Sequence, residues 1–253
     1  MYKLNNGFAR GRFLVMVVGC GGTGGFAAES LCRLLPGVAQ IILVDHDRVE
    51  ETNLARQNFF REDIGKAKSE ALALRLSRKY QRAVGYSTRP IAMTGQPLIG
   101  IVVGCVDNGL ARGDIAEKIN APADLWWVDA GNGGNFGQIL IGNSKEAYFH
   151  APKETCFALP LPTLQRPELL SQAPPPMPQP ECVEIPDQGP TINQVMAALV
   201  VEVVRRLIEG SCSWMQILLD MQTGSLHPVL ATPETVQKII GKKKTHIDYV
   251  ERR

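Results

Sequence analysis

Phe13-Leu14-Val15-Met16-Val17-Val18-Gly19-Cys20-Gly21-Gly22-Thr23-Gly24 is a continuous apolar run that breaks abruptly into a glycine cluster, and its reading decides the fold. Such a run, rich in β-branched residues and bounded by glycine, is a strand buried on both faces. Phe26 to Leu35 follows with apolar positions at helical spacing, so strand, tight loop and helix succeed one another. Pro36-Gly37 closes the helix, and Ile41 to Val44 supplies a second buried strand running into Asp45, His46 and Asp47. Further along, Gly65 to Tyr80 has the pattern of an amphipathic helix, Gly100 to Val106 and Trp126 to Val128 read as buried strands, and Gln138 to Ile141 as another. A strand that must reach a parallel neighbour through a helix builds an α/β, doubly wound, mostly parallel sheet of the Rossmann-like kind.

The rest of the chain is organised around that core. Of the 253 residues, 45% are hydrophobic and 21% charged, which suits one globular domain with a sizeable core. Ten of the seventeen prolines fall between Pro160 and Pro190, a segment expected to lack regular structure and to form an extended crossover loop. Thr191 to Glu209 then resumes as a long apolar helix, with Asn193 and Gln194 in its first turn, and Met215 to Leu219 reads as an edge or terminal strand. The expected layout is therefore a single domain with a nucleotide-binding core at 13–142, a proline-rich crossover at 143–190 and a C-terminal helix and strand lobe at 191–253.

Composition removes several function classes. A formal net charge of +2 gives no field that would make nucleic acid the primary ligand. Lys242 to Lys244 and the terminal Arg252 and Arg253 read as a solvated tail rather than as a docking patch for an acidic partner. Ile99 to Val106 and Val195 to Val204 are too short to span a bilayer, and the second is interrupted by Glu202. No secretory leader pattern is visible, so a cytoplasmic protein without membrane partners is expected. Six cysteines at scattered spacings, with no Cys-x-x-Cys pair, point to free thiols and to no structural zinc.

Gly19-Cys20-Gly21-Gly22-Thr23-Gly24 fits G-x-G-x-x-G between a strand and a helix. There, backbone amides approach a phosphate closely and the helix N-terminus favours an anion. A tight turn with close strand and helix packing is the plainer alternative. Asp45, about twenty residues on at the end of the second strand, is placed to accept hydrogen bonds from ribose hydroxyls, or to cap the strand. Up to here NAD, FAD and ATP are all compatible.

The next segment separates them. Asp45-His46-Asp47-Arg48-Val49-Glu50-Glu51-Thr52-Asn53-Leu54-Ala55-Arg56-Gln57 resembles the D-x-D-x-V-x-x-[ST]-N-L-x-R-Q signature of the ThiF/MoeB and ubiquitin-activating adenylyltransferases at every specified position. Ile64-Gly65-Lys66-Ala67-Lys68 is similar to the family's I-G-x-x-K, and Cys105-Val106-Asp107-Asn108 to its C-x-D-N. Residues 13 to 142 carry the resemblance well, and the remainder only loosely. Compact size, missing zinc motifs and the proline-rich crossover further resemble the ThiF-related proteins of PRTRC gene cassettes.

The resemblance implies ATP-dependent adenylation of the C-terminal carboxylate of a small β-grasp, ubiquitin-like protein by a homodimer using ATP and Mg2+. It assigns nucleotide contacts to Gly19, Gly21, Gly22, Gly24, Asp45, Asp47, Asn53, Arg56, Gln57, Lys68, Asp107 and Asn108. Of these, Arg56 and Lys68 would be the cations on phosphate and Asp107 the magnesium ligand. The chemistry agrees: a planar guanidinium and a point-charge ammonium suit phosphate, and a carboxylate beyond a strand's end suits a hard cation. Taken singly, Arg56 and Lys68 read as surface cations, Asn53 as a helix cap, Asp107 as a turn former and Asp47 as a residue that holds its loop.

Relatives pass the activated carboxyl to a cysteine in a crossover loop before a long helix. Cys182 stands in that place, as the acceptor or as an incidental loop thiol, with Cys156 as a second candidate. Cys20, Cys32 and Cys105 read as small buried hydrophobes. The N-terminus lacks the Arg-Gln pair by which family members send an arginine into the partner subunit's site; Arg10 and Arg12 could substitute on position alone. Three other functions stay open: a non-catalytic, nucleotide-dependent docking module for a ubiquitin-like partner; an NAD-dependent oxidoreductase, which leaves Asn53, Arg56, Lys68 and Asp107 unexplained; and adenylation of a peptide or a tRNA-borne carboxylate instead of a protein tail.

Overall fold

The computed structural model describes residues 1–7, 13–35, 37, 39–89, 100–119, 125–171 and 189–241. Cys182, Arg10, Arg12, Lys242 to Lys244, Arg252 and Arg253 lie outside the described residues. In chain order the elements are β1 (Lys3–Leu4), β2 (Leu14–Val18), α1 (Gly22–Leu34), β3 (Gln40–Val44), α2 (Lys68–Tyr80), β4 (Val84–Ser87) and β5 (Gly100–Gly104). They continue with α3 (Gly109–Lys118), β6 (Leu125–Asn132), β7 (Phe136–Gly142), β8 (Tyr148–His150), β9 (Thr155–Ala158) and α4 (Pro162–Gln165). The last are α5 (Pro190–Glu209), β10 (Trp214–Asp220), β11 (Ser225–Leu230) and α6 (Pro233–Ile240).

The central sheet runs β11-β10-β7-β6-β5-β2-β3-β4. Its β6-β5-β2-β3-β4 part is parallel throughout, and β7, β10 and β11 add on as antiparallel neighbours. Along the parallel part the chain moves from β2 outward to β3 and β4, then returns to β5 on the other side of β2. The carboxyl ends of β2 and β5 thus flank the point where strand order reverses, which is where open α/β sheets gather ligands.

Alternation along β2 shows how both faces are covered. Val15 and Val17 face one core with Ala27 and Leu31 of α1, Leu72 of α2 and Val200 of α5. Met16 and Val18 face the other core with Ile115 of α3, Trp127 and Leu161. A small second sheet, β1-β9-β8, packs at the rim, where Leu4 and Cys156 join the larger core.

Three expectations need correction. The proline-rich segment is not wholly irregular, because α4 and a 3-10 turn at Pro167–Leu170 both start on proline, whose fixed φ suits the first helical position. Met215 to Leu219 is interior and not an edge strand: β10 is covered by β7 on one side and β11 on the other. β11 escaped the sequence reading because it carries Pro228, which strands tolerate at a sheet edge. Finally α1 begins at Gly22, so Gly22 and Gly24 of the fingerprint lie in its first turn, while Gly19 and the N-cap Gly21 precede it.

Candidate active site

A cleft of about 1160 Å³ opens over the carboxyl ends of β2, β3, β5 and β6. Gly19, Gly21, Gly22, Asp45, Asp47, Asn53, Arg56, Gln57, Lys68, Asp107 and Asn108 all line it. Gly24 does not: a Cβ there would fall on the Gly19 carbonyl oxygen. Its absence of side chain serves the close approach of α1 to the loop, so the expected ligand contact becomes a packing role.

Each glycine of the loop has its own reason. Gly19 sits at φ +88, with the Cys105 carbonyl where a Cβ would be. Gly22 makes room for the side chain of Asn193, which is fully buried in the first turn of α5. The N-cap of α1, Gly21, brings no side chain to the first-turn amides, and no acidic residue lies in that turn. An uncapped helix start facing a cleft is an anion cradle.

Asp45 ties the cradle to its own strand. Its Oδ2 accepts the Cys20 amide at 2.6 Å and its Oδ1 the Asp47 amide at 2.8 Å. Burial pushes the Asp45 carboxyl above its usual range, while those two bonds pull it down. Each oxygen keeps a second lone pair, so the ribose role is compatible with the loop-holding role. Ser69 on α2 donates to the carbonyls of Asp45 at 2.8 Å and Ser87 at 3.0 Å, fixing the end of β3 beside β4.

The cations differ in how they are held. Lys68, with a side chain 10% exposed, donates to Asp47 Oδ2 at 3.1 Å. Arg56 is half-buried, and among the described residues its guanidinium has no hydrogen-bond or ionic partner. Its backbone carbonyl accepts from Asn193 Nδ2 at 3.2 Å, so the loop is anchored while the charge stays available. Gln57 Oε1 is buried without a hydrogen-bond partner among the described residues, an orphan acceptor that a ligand hydroxyl or amine would satisfy. Asn53 accepts the Glu50 amide at 3.0 Å and closes the 3-10 turn Glu51–Asn53.

On the opposite lip, Asn108 caps α3 by accepting the Ala111 amide at 2.9 Å and donates to Asp107 Oδ1 at 3.3 Å. Asp107 is exposed, with its second oxygen turned to no partner among the described residues. Asp45, His46 and Asp47 bring their ligand atoms within 4.8 Å of one another, but Asp47 is engaged with Lys68 and Asp45 with two amides.

Two features were invisible in the sequence. Arg112 and Asp129 form a buried ion pair at 3.3 Å, joining residues that no local pattern links. A polar knot joins Thr23, Asn132 and Asn193: Thr23 Oγ1 donates to Asn132 Oδ1 at 3.1 Å, and Asn132 Nδ2 to Asn193 Oδ1 at 3.0 Å. Among the thiols, Cys156 is fully buried, donates to the Ala158 carbonyl at 3.3 Å and has its pKa raised by burial. That environment removes it as an exposed nucleophile. Cys20 and Cys32 are buried as expected, and Cys105 is half-buried.

Comparison with known proteins bears on this geometry. "Ubiquitin-like modifier-activating enzyme 5" of Drosophila ananassae is 32% identical over 135 residues, 46% of this chain and 33% of the relative. Its Dictyostelium discoideum counterpart is 33% identical over 130 residues, 44% of this chain and 33% of the relative. The chain thus spans about a third of the length of these curated relatives. The crystal structure of E. coli MccB with ATP superposes with a TM-score of 0.62 at 20% identity, covering 86% of this chain and 63% of MccB. That likeness is one of fold. The ThiF family matches residues 11–226, the span that holds the glycine loop, both cations and the Asp107 lip, and the chain belongs to the ThiF family.

Proposed function

We propose that the chain adenylates the C-terminal carboxylate of a small ubiquitin-like β-grasp protein at the expense of ATP, as a cytoplasmic homodimer. The observation that carries this reading is the convergence of an uncapped helix start, Arg56 and Lys68 on one cleft at the strand-order reversal. A triphosphate needs amides and cations together, whereas hydride transfer to a nicotinamide calls for neither cation. The relatives named as ubiquitin-like modifier-activating enzymes and the MccB structure with ATP support the same direction.

In this reading the first-turn amides of α1 take up phosphate oxygens, Arg56 adds a planar fork, and Lys68 a point charge. A substrate carboxylate oxygen attacks the α-phosphorus. The new O–P bond forms as the bond from the α-phosphorus to the bridging oxygen breaks, and pyrophosphate leaves with that electron pair. No proton is moved, because the attacking group is already ionised; positioning and charge neutralisation carry the rate. Asp107 has the open oxygen and the exposed setting to hold Mg2+, which would offset charge on the departing pyrophosphate. The acyl-adenylate then passes to the thiolate of Cys182, giving a thioester and AMP.

Carboxylate-dependent exchange of labelled pyrophosphate into ATP tests the reading. A small β-grasp protein ending in glycine is the first substrate to try. Exchange that requires the free carboxylate and disappears in Lys68→Ala is the expected result. ATP binding without exchange for any such protein would replace catalysis with nucleotide-dependent docking.

A further inference from the structure

A second cavity, of about 460 Å³, adjoins the cleft, and Arg112, Gly131, Asn132 and Gly133 face both spaces. Among the described residues, Arg112 is the one charged side chain in that shared wall. It is held from behind: its Nε lies 3.3 Å from each oxygen of Asp129, which is completely buried. The Arg112 side chain is itself only 7% exposed. Yet Nη1 and Nη2 have no hydrogen-bond partner among the described residues.

Gly131 explains why the outer edge of the guanidinium stays open. A Cβ at that position would rest 3.4 Å from Nη2 and cover it. A buried guanidinium with its terminal N–H groups unmet is matched by a planar, doubly accepting anion, and a carboxylate fits that edge in two parallel bonds. The far side of the second cavity is lined by Phe136, Gly137, Leu218 and Leu219, with Gln138, Asp220, Ser225 and His227 adding polar groups, and the Asp220 carboxylate disfavours an anion there. It therefore suits the last residues of an extended chain and not a further phosphate group.

We propose that Arg112 binds the substrate's terminal carboxylate where the two cavities meet, with Asp129 as the positioning residue that aims the guanidinium. This rests on the adenylation reading above and adds the group that holds the nucleophile. With both carboxylate oxygens paired to Arg112, their remaining lone pairs are presented toward the nucleotide cleft, which turns a diffusing tail into an aligned reactant. Lys68 and Arg56 hold ATP, and Arg112 holds the acid.

The test uses the full chain saturated with a non-hydrolysable ATP analogue and two short synthetic peptides ending in glycine, one a free acid and one its C-terminal amide. Calorimetric titration is expected to give at least about tenfold tighter binding of the acid, the range of a charge-assisted pair. Arg112→Gln removes that preference and leaves affinity for the ATP analogue alone unchanged. Arg112→Lys, which keeps the charge and loses the fork, retains part of it, and Asp129→Asn reduces it. A merely structural Arg112 would alter melting temperature without changing the acid-to-amide ratio.

Equal binding of the two peptides, no binding of either, or an undiminished preference in Arg112→Gln overturns the proposal. So does a matching loss of ATP affinity, which would make Arg112 a phosphate ligand. Failure of the adenylation reading looks different: no pyrophosphate exchange, with ATP binding indifferent to Lys68→Ala, while the acid preference at Arg112 persists.

Discussion

Lys68 is bound to Asp47 twice: its backbone amide donates to the Asp47 carbonyl at 2.8 Å and its Nζ to the Asp47 carboxylate at 3.1 Å. The first contact fixes where α2 begins, and the second fixes where the ammonium points. The lysine is consequently set against the cleft before any ligand arrives. Lys68→Ala should weaken ATP binding by roughly tenfold to a hundredfold, the loss of one charge-assisted contact. Asp47→Ala, which leaves the charge but frees the side chain, should cost less. Fluorescence titration with an ATP analogue checks both, and unchanged affinity in Lys68→Ala would remove it from the phosphate site.

Gly24 and Gly22 should respond differently to alanine. At Gly24 the added methyl meets the Gly19 backbone, which cannot step aside without moving the loop. At Gly22 it meets the Asn193 amide, a side chain with some freedom. Urea unfolding should therefore show a loss of about 1–3 kcal/mol for Gly24→Ala and a smaller one for Gly22→Ala. Equal midpoints for Gly24→Ala and the unsubstituted protein would contradict the packing role.

Asp129 gives a pH dependence of stability. Burial raises its carboxyl from 3.8 to about 6, with the Arg112 guanidinium pulling the other way. Between those values the folded chain keeps a proton that the unfolded chain has released. The contribution is complete below 3.8, falls as pH rises and is gone above about 6. Its size is about 3 kcal/mol. Measured by urea unfolding across this window, the difference between the unsubstituted protein and Asp129→Asn should shift steadily in favour of Asp129→Asn as pH rises. A constant difference would mean that the carboxyl titrates normally.

The residues that line the cleft were legible because they lie in short, ordered blocks: a glycine loop, one loop after β3, one helix start and one strand end. Local order is what a sequence displays. What it hid depends on partners far apart in the chain. Thr23 and Asn193 are 170 positions apart, and nothing near either announces the other. Arg112 and Asp129 sit on α3 and β6, 17 positions apart in the chain, and meet only when the helix packs on the sheet. Gly24 was placed in the right neighbourhood but serves packing, and Asn108, which lines the cleft, also caps a helix. β11 was missed since its alternation is broken by Pro228 and its side chains are largely exposed.

Cys182 remains the thiol to test, because Cys20, Cys32, Cys156 and Cys212 are buried and Cys105 has its pKa raised by burial. With ATP and a ubiquitin-like substrate, a covalent adduct that thiol reductant cleaves should form in the unsubstituted protein and be absent in Cys182→Ala. Gel mobility without reductant reads it directly. An adduct that survives the substitution would assign the acceptor elsewhere.

Asn193 reaches back from the first turn of α5 to the wall of Gly22, the carbonyl of Arg56 and the amide of Asn132. During synthesis the ribosome delivers the glycine loop first and its prop 170 residues later. A nascent chain that has emerged only through β6 carries the phosphate-cradling sequence without the wedge that shapes it. Competence to grip a nucleotide should therefore arrive abruptly once α5 has emerged, and not grow with chain length.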